Sequence, residues 1–175
     1  DVNESEKEEM EECYERTILS VLSGLGWLVQ CHPENTATNE QTYVDVVCFP
    51  DSSSITRILQ SSRGSFRREA YNLVGKLCQF APSLILPESA NNLEMAPLIP
   101  NLLSSEKESS NFSPLLEMIL TYFAAFRAEH FKFKWEKLDC VAFAKSLNKS
   151  LRRACYGAPA SAWCPMILPL VASLP

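Results

Sequence analysis

The chain has 175 residues, 46% of them hydrophobic and 21% charged, and a formal net charge of −5. That size and apolar content can bury one ordinary core and exclude a disordered chain. The acidic balance argues against a dedicated nucleic-acid module.

Helical periodicity dominates from the start. A first helix is predicted from Asn3 or Ser5 to Val29, with Met10, Cys13, Thr17, Val21, Gly24 or Leu25 and Leu28 on its packing face. Its acidic first turns suit the positive end of the helix dipole. A polar connection over 31–50 follows, in which "YVDVVCF" reads either as a strand or as the start of the next helix. Asp51 or Ser52 then caps a short helix carrying Ile55, Ile58 and Leu59, and Gly64 is expected to end it.

"GSFRREAYNLVGKLCQFAPSL" opens the next helix at Ser65. Phe66, Ala70, Tyr71, Val74, Leu77 and Cys78 recur on one side at three- and four-residue steps, and Pro82 closes it. Ala70, Leu77 and Cys78 mark a packing helix rather than a basic binding helix, and Arg67 is expected to brace the turn between helices. A helix from about Ala90 to Leu103 carries Leu98, Ile99 and Leu102 and is bent or shortened by Pro97 and Pro100. "SSEKESSNFS" reads as a polar loop, and Pro114 as a first-turn residue of the strongly apolar "PLLEMILTYFAAFRAEH". "FKFKWEKLD" reads as a link or a short turn, Asp139 to Tyr156 as a helix stopped by Gly157, and "APASAWCPMILPLVASLP" as the beginning of a last one.

The expected fold is all-α, with six or seven helices in consecutive pairs whose broad apolar faces need a neighbouring pair to cover them. That is the logic of a HEAT/ARM-like α-solenoid of helical hairpins, one continuous segment over 1–175; a compact helical bundle is the alternative. The chain begins at Asp1 and stops inside an apolar pattern, so a piece of a longer protein is expected. "CPMILPLVASLP", broken by Pro165, Pro169 and Pro175, is too short to cross a membrane. The first fifteen residues carry eight acids and one lysine, unlike a signal peptide, so the expectation is a cytosolic monomer that engages no membrane.

Seven scattered cysteines without a CxxC are poor material for a disulfide framework or a zinc site, and are expected to be reduced, buried thiols. No catalytic arrangement is legible: Cys78 and Cys140 read as core thiols rather than nucleophiles, and only five glycines leave no phosphate-cradling loop. The sequons at Asn3, Asn111 and Asn148 read as chance in such a chain. The acidic start is a solvated helix end or an interaction surface. Arg127, Lys132, Lys134, Lys137, Lys145, Lys149, Arg152 and Arg153, against three acids and interleaved with Phe131, Phe133 and Trp135, form the candidate binding patch. Such a patch can hold phosphate and stack on unpaired bases. The same pattern also describes a charged outer face over core aromatics.

"FRREAYNLVGKL" fits one helix of HEAT-type repeats, in which a small residue at Ala70 allows close packing and the apolar steps face the next repeat. The longer series "SFRREAYNLVGKLCQFAPSLI", "LIPNLLSSEKESSNFSPLLEMILTYF" and "WCPMILPLVASLP" resembles the N-terminal region of the listerin family of ubiquitin ligases. It shares that family's R-x-A-Y-x-L-V-x-x-L-C-Q-x-x-P helix and an ending that Pro165, Leu168, Pro169, Leu174 and Pro175 match. The resemblance implies a segment of a long solenoid that docks a RING-type E3 ubiquitin ligase on stalled 60S large ribosomal subunits, beside a quality-control partner on the peptidyl-tRNA. It implies a RING domain elsewhere, which would hold zinc and recruit the ubiquitin-conjugating enzyme. Within this chain it implies no cofactor, no catalytic residue and no residue-level contact.

Overall fold

The computed structural model describes residues 4–33, 54–82, 95–128 and 140–157, with the isolated positions 165, 169 and 172. Every regular element among the described residues is a helix: α1 Glu4–Cys31, α2 Ser54–Leu59, α3 Gly64–Phe80, α4 Met95–Ser105, α5 Ser109–Ala128 and α6 Cys140–Gly157. This is the all-α fold that the periodicity predicts.

Helix α3 forms where apolar residues recur at helical spacing and nothing interrupts them until Pro82. Phe66, Ala70, Tyr71, Leu73, Val74, Leu77 and Cys78 are buried, and at the far end the Ala81 N–H donates to the Leu77 carbonyl at 2.9 Å. Two apolar sides of one helix demand two neighbours. α3 accordingly lies between α1 and α5 and also carries α2, while α4 packs chiefly on α6.

Helices next-but-one in sequence therefore stack, α1 on α3 on α5 in one layer and α4 on α6 in a second. Stacked hairpins produce this arrangement when each covers its neighbour's apolar face. The layers meet where α5 touches α4 and α6, and Phe123 of α5 sets its ring edge-on to Phe143 of α6 with centroids 6.1 Å apart. Leu77, Ile99, Leu115 and Phe143 have no solvent exposure. The solenoid-like stacking expected from the paired apolar faces is present.

Four local expectations are corrected. Helix α1 packs through Leu22, Gly26 and Val29, with Ile18 and Leu25 beside them, and not through Met10, Val21 and Leu28, which are exposed. Gly64 opens α3 instead of ending α2, which stops at Leu59. The polar loop contracts to Glu106–Glu108, because Ser109 already begins α5 and Pro114 lies inside that helix. Cys13 and Cys31 are exposed, while Cys78 is buried. The "YVDVVCF" and "FKFKWEKLD" segments lie outside the described residues.

Candidate functional site

The most densely bonded polar cluster in the described core forms around Glu106, in the three-residue turn between α4 and α5. One carboxylate oxygen accepts from Arg67 Nη2 at 2.7 Å and from the backbone N–H groups of Lys107 and Glu108 at 3.0 and 2.9 Å. The other accepts from Arg67 Nε and the Tyr71 hydroxyl, both at 2.9 Å. Only 5% of Glu106 is exposed. Burial by itself would push its carboxyl up, but the Arg67 hydrogen bonds, the Glu108 N–H, the Tyr71 hydroxyl and the Arg67 charge outweigh it and hold the group below the usual range.

Arg67 completes the expected brace. Its Nη1 donates to the carbonyls of Ser61 and Ser62 at 2.8 and 3.0 Å, so one guanidinium ties the α2–α3 turn to the α4–α5 turn. The bidentate bond to Glu106 raises its affinity for its proton. Tyr71 is pushed up first by burial and then by the neighbouring Glu106 charge. A carboxylate whose oxygens are filled by five donors has no lone pair left to act as a general base. The cluster is a clamp, and its chemistry is structural.

Two neighbours extend the clamp. Asn111, fully buried, donates from its amide to the Gly64 carbonyl at 2.9 Å and accepts from Arg68 Nε at 3.0 Å. Its sequon is therefore closed to modification in this fold. At Gly64 an added Cβ would overlap the Glu108 carboxylate, so glycine leaves room for an anion at the first turn of α3, where the helix dipole favours one.

The acidic start divides into two parts. Glu4, Glu6, Glu8, Glu9 and Glu12 are exposed, whereas Glu15 accepts from Ser65 Oγ and Arg63 Nη1, each at 2.6 Å. The Ser65 hydroxyl and the Arg63 charge lower the Glu15 carboxyl against the opposing effect of desolvation. Arg63 also stands over the Phe66 ring, 5.6 Å from its centroid. Part of the acidic run thus pins α1 to the start of α3.

The predicted basic patch is only partly within view. Lys145, Lys149 and Arg152 are exposed and share one face of α6 at helical spacing, opposite the buried Phe143, Leu147 and Ser150. The Ser150 hydroxyl bonds the Leu103 carbonyl and fixes that rotation against α4. Arg127 falls in the last turn of α5 and Arg153 within α6, while Lys132, Lys134 and Lys137 lie outside the described residues.

Among the described residues, no group of three or more His, Cys, Asp or Glu is placed to hold a metal ion, and burial pushes the Cys78 thiol up, away from nucleophilic thiolate. No described helix is long and apolar enough to cross a membrane. Sequence reasoning missed Glu106, one of two acids in a serine-rich stretch; its hint was the arginine pair of "FRREA" in need of partners.

No curated protein and no solved structure matches the chain. A family model does: that of the N-terminal domain of the E3 ubiquitin-protein ligase listerin, over residues 1–174. With nearly the whole length matched and a stacked all-helical fold beneath it, the chain belongs to the listerin family of E3 ubiquitin-protein ligases, in its N-terminal domain.

Proposed function

We propose that this segment is the docking arm of the ligase: it seats the enzyme on stalled 60S large ribosomal subunits in the cytosol, beside the quality-control partner on the peptidyl-tRNA. A RING domain carried elsewhere on the ligase holds zinc, recruits the ubiquitin-conjugating enzyme and directs ubiquitin to the nascent chain. The contribution of the arm is geometric, since a stiff solenoid raises the effective concentration of a distant domain at its target. The observation that carries the reading is the family match over residues 1–174, supported by the next-but-one helix stacking. The exposed cations Lys145, Lys149 and Arg152 are the described part of the surface that would meet ribosomal RNA.

Cosedimentation of the chain with purified large subunits over a salt series tests the proposal. Sedimentation at low salt that weakens as salt rises supports docking. A chain that stays in the supernatant at every salt concentration returns it to the role of a helical adaptor for another complex.

A further inference from the structure

The layer of α1, α3 and α5 opens a cleft of about 410 Å³ on its solvent side. Glu15 meets Ser65 and Gly26 lies against Lys76, while Arg68 meets Asn111 and Gly75 lies against Met118, so the three helices run parallel. Along α3, Glu69, Asn72, Lys76 and Gln79 line the cleft at steps of three, four and three residues, a single row on a helix. Among the described residues none of these four, nor Glu117 on the α5 wall, forms an ion pair or a side-chain hydrogen bond. Arg16, Arg63 and Arg67, by contrast, each pair with a glutamate.

Two helix-interior glycines shape this cleft. At Gly26 an added Cβ would stand 3.2 Å from Lys76 Cδ and 3.5 Å from its Nζ. Glycine there lets the half-buried lysine lie across α1, with its ammonium on the α1 side. At Gly75 a Cβ would make only ordinary contacts, 3.5 Å to Thr121 Oγ1 and 3.7 Å to Met118 Cα, so alanine would fit. Alanine would also favour the helix by about 1 kcal/mol. What glycine adds instead is depth, which lets the main chain of a ligand approach α3 closely.

The geometry points to this cleft as a binding site for an extended peptide segment of another protein. The peptide sets an acidic side chain on Lys76 and a lysine or arginine toward Glu69 and Glu117, while Asn72 and Gln79 bond its main chain. Glu69 and Lys76 stand two helical turns apart, about 10 Å along α3, which an extended chain covers in about three residues. The recognised motif is therefore one basic and one acidic residue at about that spacing. Side-chain amides offer a donor and an acceptor, as a peptide group does, and an extended chain has both to give. A helix satisfies its own main chain and would leave Asn72 and Gln79 idle. Nucleic acid is opposed by two acids against one lysine. The inference uses none of the α6 cations and does not rest on ribosome docking.

The test uses the 175-residue chain and labelled, end-capped peptides of about seven residues with Lys and Glu about three positions apart. Beside them stand twins in which both charged residues are Lys or both are Glu. Anisotropy titration should show the mixed-charge peptide binding about threefold or more tighter than either twin, with the advantage shrinking as salt rises. Lys76→Glu should weaken the mixed-charge peptide by about tenfold, with the circular dichroism spectrum unchanged, and should bind the all-Lys twin in its place. That rescue separates a direct contact from a structural effect. Gly75→Ala should split the readouts, raising the melting temperature of the free chain by about 2–4 °C while lowering affinity for the mixed-charge peptide by about threefold. Equal affinity for the three peptides, or a loss in Lys76→Glu that the all-Lys twin does not rescue, overturns the inference. So does self-association of the chain alone that Lys76→Glu abolishes, which would give the cleft to a second copy.

Discussion

Arg67 and Glu106 stand 39 residues apart in the sequence and meet as a bidentate ion pair, with N–O distances of 2.7 and 2.9 Å and side-chain exposures of 12% and 2%. The pair joins two turns that no backbone hydrogen-bond ladder connects. Its value lies less in mutual attraction than in mutual satisfaction, because burying either charge alone is costly.

Removing both partners should therefore cost less than the two single losses added together. Glu106→Ala takes the main acceptor from Arg67 Nε and Nη2, from the Tyr71 hydroxyl and from two backbone N–H groups, and should lower unfolding free energy by about 3–5 kcal/mol. Glu106→Gln keeps the shape and loses the charge, and should fall short of that loss. Combining Glu106→Ala with Arg67→Leu should cost less than the sum of the single variants by about 1–3 kcal/mol. Urea titrations followed by circular dichroism measure all of these, and additive losses would deny the coupling.

The same pair sets a pH dependence. The folded Glu106 carboxyl lies below its unfolded value of about 4.3, so its stabilising contribution is complete above that value and is lost as pH falls through the lower folded one. The urea midpoint of the parent chain should drop steeply on acidification below about pH 4. In Glu106→Gln, which has no such proton to take up, part of the drop should disappear. Glu15 titrates in the same sense but is only partly buried and contributes little.

The rotation of α1 predicts a contrast between neighbours in sequence. Leu22 is 5% exposed and Leu28 is 42% exposed. Leu22→Ala should cost about 2–4 kcal/mol, whereas Leu28→Ala should stay within about 1 kcal/mol, since a half-exposed side chain leaves no sealed cavity. Thermal melts of the two variants decide it; reversed costs would restore the face of Met10, Val21 and Leu28 to the core.

That contrast also marks how far the fold can be read from residues alone. The burial of α3 is legible because a single strong stripe, Phe66 to Cys78, has no rival on its helix. Helix α1 carries two stripes about a quarter-turn apart, and the choice between them is made by α3, which no local pattern reveals. The Ser104–Ser113 stretch reads as loop because its serines and asparagine are turn formers. Tertiary bonds from Arg67, Arg68 and Tyr71 overrule that bias, saturating Glu106 and Asn111 and letting α5 begin at Ser109. The basic face of α6 is legible from spacing, but its partner is not.

The α6 face yields the last prediction. Lys145, Lys149 and Arg152 are exposed, so charge reversal should leave the fold within about 0.5 kcal/mol per substitution. If these cations neutralise RNA phosphates, a chain carrying Lys145→Glu, Lys149→Glu and Arg152→Glu should lose affinity for purified large subunits at low salt. The slope of log affinity against log salt should flatten by about 2–3, since each neutralised phosphate contributes about 0.7–0.9. A control with Glu6→Gln and Glu9→Gln changes charge on α1 instead and should leave the slope as it is. An unchanged slope in the triple variant would assign α6 a solvated outer face and move the ribosome contact to another surface of the solenoid.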